Sequence, residues 1–278
     1  MIDIKQALEQ ATQQLSPCSD TARLDAELLL MHTLTCSRVF LYAHSEDLLN
    51  QDQLQQYQAL LSQRIEGTPI AYLTGTREFW SMPLKVTKDT LIPRPETELL
   101  VELVLQFINN QEKSLVLDLG TGSGTIALAL ASECPNWQIT ASDKSPAALN
   151  IARENAAYLK LKNVQFIESN WFESIPNQQF NTIVSNPPYI ASQDPHLSQG
   201  DLRFEPQDAL VSGEDGLDAL RHIIEQANER LLPGGWLLLE HGFSQSHAVI
   251  NVLKQFGYQD IQCWQDWQGH DRVSGGRK

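Results

Sequence analysis

The chain is poor in cysteine: four in 278 residues, Cys18, Cys36, Cys134 and Cys263, with no C-x-x-C pair. No histidine stands at metal spacing from any of them, and the seven histidines form no H-E-x-x-H group. That spacing excludes a disulfide framework or a zinc site as the organising feature. Long apolar runs are missing too; none approaches the roughly 20 residues a membrane span needs. The N-terminal "MIDIKQALEQATQQL" is an amphipathic helical pattern unlike a secretory signal, so a cytoplasmic location is expected. Positive charge is scarce, with 20 Lys and Arg against 34 Asp and Glu, a net charge of −14. Phosphate neutralisation drives nucleic-acid affinity, so this balance counts against DNA or RNA as a partner. It favours a basic protein or a small molecule instead. There is no Gly/Ser-rich linker, although the length allows two domains of unequal size.

What is present falls into two regions. Up to about residue 70 the apolar spacing is helical: after Ser19-Asp20, Leu24, Leu28, Met31 and Leu34 recur at three- and four-residue steps. A second helical run, "SEDLLNQDQLQQYQALLSQRIEG", stops at Gly67-Thr68-Pro69. From about 70 to 93, "AYLTGTREFWSMPLKVTKDTLIP" mixes glycine, aromatic and β-branched residues as a hairpin-like connector would. A helix entered through Pro95 is expected next. Beyond residue 114 strands and helices alternate. "SLVLDL", "QITASD", "VQFIE", "NTIVSN", "GWLLLEH" and "DIQCWQDW" read as strands. Apolar strands separated by helices imply a mainly parallel sheet covered on both faces. Ligands in such sheets bind beyond the carboxyl ends of the strands.

Four strand ends carry chemistry. "LVLDL" runs into "GTGSG", Gly120 to Gly124, and then into a helix. Glycines there let the backbone turn and let a ligand approach the amides at the helix start. The spacing is G-x-G-x-G; Thr125 stands where the dinucleotide fingerprint needs glycine. Asp118, just before the turn, is also placed to meet a polar ligand. Asp143 follows Gly120 by 23 residues at the end of the second strand, where an acid suits the hydroxyls of a ribose. It is equally suited to a turn in which Ser145 caps and Pro146 opens the next helix. After the third strand, Asn170 and Trp171 could supply the polar group and the wall for an adenine, or Trp171 could simply be core.

The fourth strand ends in "TIVSNPPYI". Proline at 187 biases Asn186 toward extended backbone, and Pro187 and Pro188 fix two φ angles and remove two donors. What remains is rigid and rich in acceptors: the Asn186 side-chain oxygen, the Pro187 carbonyl and the face of Tyr189. That set suits a planar –NH₂ group.

In this order "VLDLGTGSG", "ASDKS" and "SNPPYI" resemble an S-adenosylmethionine-dependent N-methyltransferase. The chain is more specifically similar to the protein-glutamine N5-methyltransferases of peptide-chain release factors, the PrmC/HemK family. "IPRPETE" (92–98), "DPHLSQGDLRFEP" (194–206), "LLLEHG" (237–242), "DRVSGGR" and the helical N-terminal region all contribute. The resemblance implies a Rossmann-like class I methyltransferase domain over 94–278, a connector over 71–93 and a helical substrate-recognition domain over 1–70. It implies S-adenosyl-L-methionine as cofactor, S-adenosyl-L-homocysteine as product, and no metal. Its substrate would be the Gly-Gly-Gln glutamine of class-1 release factors, met by a monomer acting in translation termination, with no nucleic acid or membrane bound directly.

Carried over residue by residue, the family implies that Gly120, Thr121, Gly122, Ser123 and Gly124 line the methionine portion of the cofactor. Asp143 would hold its ribose, and Asn170 with Trp171 its adenine. Asn170 stands where relatives often carry Asp, so a weaker contact is expected there. Asn186, Pro187, Pro188 and Tyr189 would hold the glutamine side chain, with Asn186 near both ligands. Asn186, Pro187 and Tyr189 would be the catalytic set. Because the proton can leave after transfer, no general base is required. Glu96, Glu98, Arg203 and Glu205 either shape the substrate entrance or cap and pair on the surface. NPPY is shared with amino-methyltransferases of adenine N6 and cytosine N4, which form the alternative; a non-catalytic binding protein is a third reading.

Overall fold

The computed structural model describes residues 2–108 and 113–278, which divide into two compact units. The first comprises Met1–Thr76 with Ser198–Phe204. It is built from α1 (Ile4–Leu15), α2 (Ala22–Leu34), α3 (Arg38–Ala43), α4 (Gln51–Ile65) and α5 (Ile70–Thr74). Asp3 and Asn50 each close a capping box, satisfying amide donors at the starts of α1 and α4. Helix α2 packs against α1, α4 and α5 through Ala26, Leu29 and Leu30.

The buried face of α2 is not the one its leucine spacing predicts. Leu24 is 42% exposed, while Asp25 and Glu27 lie inside. Ion pairing is the reason. Asp25 accepts from Ser19, Thr21 and Arg64, and Glu27 accepts from Arg23, Arg38 and Tyr42, all within 2.7–2.9 Å. A buried carboxylate with that many donors is tolerated where an unpaired one is not. Burial alone would raise the Glu27 carboxyl; its three donors together hold it below the ordinary carboxylate range. Residues 198–204 join this unit through Asp201, 3.4 Å from Arg64, and Arg203, which donates to the Glu66 carbonyl at 3.0 Å.

The second unit is Arg77–Leu197 with Glu205–Lys278. Strands β1 (Thr76–Phe79) and β2 (Met82–Lys85) form a hairpin whose turn residues, Trp80 and Ser81, both have positive φ. Non-glycine residues rarely adopt that conformation. Here Glu98 holds the Trp80 amide at 2.8 Å and Glu133 holds its indole N–H at 2.7 Å. Helix α6 (Glu98–Phe107) precedes β3 (Leu115–Leu119), α7 (Thr125–Glu133), β4 (Gln138–Asp143), α8 (Pro146–Tyr158), β5 (Val164–Glu168) and β6 (Phe180–Ser185). Then come α9 (Asp218–Arg230), β7 (Leu231–Glu240), α10 (Ser246–Gln255), β8 (Gln259–Gln265) and β9 (Asp271–Arg277).

The large sheet has the order β5-β4-β3-β6-β7-β9-β8. Its first five strands are parallel and β9 runs antiparallel to both neighbours. This is the expected α/β architecture, with helices over both sheet faces. Val116, Val184 and Leu238 face the core beneath α6 and α7, whereas Leu117, Ile183 and Leu239 face the core beneath α9 and α10.

Strand β9 is absent from the strands read in the sequence. "DRVSGGR" carries two adjacent glycines, which ordinarily depress strand formation. The backbones approach too closely here for any side chain. A Cβ on Gly275 would lie 2.5 Å from the Leu237 carbonyl oxygen, and one on Gly276 would lie 2.8 Å from Tyr258 Cβ. Gly275→Ala is therefore expected to destabilise the fold by about 1–3 kcal/mol, as overpacking does. Chemical denaturation of the two proteins measures the difference.

Candidate active site

Register brings three of the sequence-marked strand ends to one edge. Leu119 of β3 lies opposite Ser142 of β4 and Ser185 of β6, so Gly120, Asp143 and Asn186 emerge side by side. The Ser185 hydroxyl donates to the Leu119 carbonyl at 2.7 Å and pins β6 to the end of β3. A cavity of about 520 Å³ opens at this edge. Gly120, Gly122, Asp143, Asn170, Trp171, Asn186 and Pro188 line it, together with residues 88–91 and 206–209.

Gly120 and Gly122 hold φ of 71° and 56°, so the turn depends on residues without a Cβ penalty. The remaining members of the turn are buried. Thr121 donates its hydroxyl to Asp118 at 2.7 Å, Ser123 pairs with Thr125 at 3.0 Å, and Gly124 starts α7. Asn155, in α8, was missed by sequence reasoning. Its amide donates to the Ser123 carbonyl at 2.9 Å and the Lys85 carbonyl at 3.0 Å, and its oxygen accepts from the Lys85 amide at 2.7 Å. One buried side chain thus fixes the glycine turn against β2. The only signal was an asparagine in a helix interior, where it is a poor helix former.

Asp143 accepts from the amides of Gly122 and Ser145, both at 2.9 Å. Each oxygen keeps a further lone pair for a ligand. Burial pushes its carboxyl above the ordinary range, against these hydrogen bonds and Lys144. Ser145 caps α8 by accepting from Ala148 at 3.2 Å, with Pro146 following. Trp171 is half-buried with φ 52° and its ring packs 3.7 Å from where a Gly120 Cβ would be. Asn170 is exposed and donates to Glu173 at 2.7 Å, which leaves its amide oxygen to accept.

Asn186 is half-buried and donates its –NH₂ to the Thr97 hydroxyl at 3.0 Å. Thr97 in turn donates to Glu240 at 2.7 Å, and the Tyr189 hydroxyl donates to the other Glu240 oxygen at 3.3 Å. Pro187 is buried behind the cavity lining, and Tyr189 turns its hydroxyl inward. Glu240 and Thr97 escaped the sequence reading although "LLLEHG" and "IPRPETE" contain them; 143 residues separate the pair. Glu205 is buried and bonds the Ile92 amide at 3.0 Å and the Arg94 guanidinium, while Glu98 caps the hairpin turn. Glu205 and Glu98 thus have internal partners. Among the described residues no group of acidic, histidine and cysteine side chains could hold a metal, and no helix is long and apolar enough to cross a membrane.

Comparison with known proteins bears on what this edge does. A family model described as the PrmC N-terminal domain matches residues 6–75, and one described as the methyltransferase small domain matches 96–201. The release factor glutamine methyltransferase of Salmonella typhimurium is 49% identical over 276 residues, covering 99% of both chains. Those of Escherichia coli and Coxiella burnetii are 50% and 46% identical, over 97% and 100% of each chain. Among solved structures, the hMettl16 catalytic domain in complex with the MAT2A 3'UTR hairpin 6 has a TM-score of 0.58 at 16% identity. It covers 78% of this chain and 80% of that one. A Pyrococcus furiosus methyltransferase has a TM-score of 0.54 at 16% identity, covering 80% and 97%. At such identity these two share the fold.

Asp118 gives a pH test. It is fully buried on the α7 side of β3, and one oxygen accepts from Thr121 and from the Ala127 amide at 3.1 Å. The other oxygen has no partner among the described residues. Burial, with Asp143 nearby, pushes its carboxyl up to about 7. A folded value above the unfolded one of about 3.9 means the folded protein holds this proton more tightly. The stability so gained is complete below about pH 4 and is lost as the pH rises to about 7. Asp118→Asn should flatten that decline; melting temperatures of both proteins from pH 5 to pH 7.5 test it.

Proposed function

The chain belongs to the release factor glutamine methyltransferases, S-adenosylmethionine-dependent enzymes, and on that premise we propose that the Asn186–Tyr189 corner holds the substrate glutamine. The substrate is the Gly-Gly-Gln glutamine of a class-1 release factor, methylated at N5, and the protein acts as a monomer in the cytoplasm. The observation that carries the reading is the committed –NH₂ of Asn186. With one N–H of that group bonded to Thr97, the amide is oriented so that the side chain offers Oδ1 to a planar –NH₂ group at the same edge as Gly120 and Asp143.

The cavity suits the cofactor by its donor set. The backbone amide of Gly120 can meet a carboxylate, Asp143 can accept from ribose hydroxyls, and the Trp171 ring with the Asn170 oxygen can receive an adenine. When bound, S-adenosylmethionine supplies a methyl group already activated by its sulfonium. The protein's task is then alignment and charge placement. An amide nitrogen is a poor nucleophile because its lone pair is delocalised. Asn186 Oδ1 and the Pro187 carbonyl accept its two N–H bonds, orient the nitrogen and support the positive charge that develops on it. Tyr189 packs beside the amide plane. No step requires a strong base, since the proton is acidic once nitrogen is alkylated.

Asn186→Ala is expected to abolish methyl transfer from tritiated S-adenosylmethionine to a purified release factor while leaving cofactor affinity within about threefold. Near-normal turnover would remove Asn186 from the chemistry. A release factor whose motif glutamine is replaced by alanine should take no label; label on such a substrate, or on nucleic acid instead, would redirect the reading. Asp143→Ala should weaken cofactor binding about 10- to 100-fold with the fold intact, measured by calorimetry. Unchanged affinity would leave Asp143 with a turn-making role only.

A further inference from the structure

Glu240 is buried at the end of β7 and is not among the residues that line the cavity. Taking a carboxyl out of water is costly unless donors meet it. Its donors are the hydroxyls of Thr97 and Tyr189. Arg272 of β9 favours its charged form from a distance and pairs directly with Asp266 at 3.2 Å, while Glu96 disfavours it. A hydroxyl has one proton to give. Thr97 gives its proton to Glu240, so toward Asn186 it has only lone pairs to show. The amide of Asn186 can satisfy that oxygen in one orientation, –NH₂ inward and Oδ1 outward.

We propose that Glu240 and Thr97 are positioning residues that set the polarity of Asn186, so that its Oδ1 rather than its –NH₂ meets the substrate amide. The inference rests on Asn186 being the acceptor for the glutamine –NH₂. An inverted asparagine would set donor against donor and repel the group it must hold. Inversion becomes possible when Glu240 is protonated. The carboxyl then donates to Thr97, whose own proton turns toward Asn186 and calls for its oxygen. Burial lifts Glu240 to about 7 despite Thr97, Arg272 and Tyr189, which places this exchange near neutrality. Burial, and then the Glu240 charge, raises the Tyr189 phenol, so Tyr189 stays a protonated donor to Glu240 throughout.

The test uses the full chain and a purified release factor. Thr97→Val removes the hydroxyl at nearly constant volume. Its kcat at pH 8 should fall about 10- to 100-fold, with cofactor affinity unchanged, and Thr97→Ser should restore most of it. Circular dichroism and calorimetric cofactor binding confirm that each variant is folded. The wild-type kcat at saturating substrates should fall with acidity below about pH 7. Glu240→Gln, which cannot titrate, should lack that acid limb whatever its absolute rate. A folded Thr97→Val protein with wild-type kcat, or an acid limb that persists in Glu240→Gln, overturns the proposal. Either result beside an inactive Asn186→Ala protein would leave the substrate site standing and remove only the network. Turnover by Asn186→Ala would instead fell the site reading itself.

Discussion

Everything at the candidate site depends on backbone pairing between β3 and its two parallel neighbours. Leu119 is matched to Ser142 on one side and to Ser185 on the other. A slip of one residue in either pairing would turn every following side chain to the opposite face. Asp143 or Asn186 would then leave the edge at which Gly120 turns. The hydroxyl bridge from Ser185 to the Leu119 carbonyl lies at the last paired position, where fraying would otherwise begin. The sheet thus converts three separate sequence signals into one place.

Two of the buried acids show how much the choice of partner matters. Glu27 receives two arginines and a tyrosine and stays ionised in the helical unit. Among the described residues Glu240 receives hydroxyls only, with its arginine at a distance, and burial raises its carboxyl to about 7. The first arrangement is an ordinary buried ion-pair cluster. The second leaves a group able to change charge near neutrality, one hydroxyl away from a residue proposed to touch substrate.

Much of this was legible in the sequence. The parallel α/β order, the glycine turn, Asp143 and the proline-fixed corner at Asn186 are local signals, each written within a few residues. What escaped was relational. Thr97 and Glu240 are ordinary residues at a helix start and a strand end until the fold brings them within hydrogen-bonding distance. Asn155 carries no mark of the three backbone groups it binds. The leucines of α2 suggested one face, and pairing of Asp25 and Glu27 selected another. Strand β9 was hidden because its glycines answer to close approach by Leu237 and Tyr258, a constraint invisible without the neighbours.

The position of β9 also governs how the sheet comes apart. It joins β8 through a short antiparallel hairpin and joins the rest of the sheet only through β7. Both strands also pack on α10, so opening that seam releases them only if this helix packing gives way too. Glu240 is the residue of β7 that pairs with Val273 at one end of the seam. Residues 236–240 pair with β6 on one side and β9 on the other, so only alternate amides there bond across this seam and report on its opening by exchange. The seam ends at the residue that accepts from Thr97, which in turn holds Asn186, so the C-terminal hairpin and the substrate corner share one buried carboxyl.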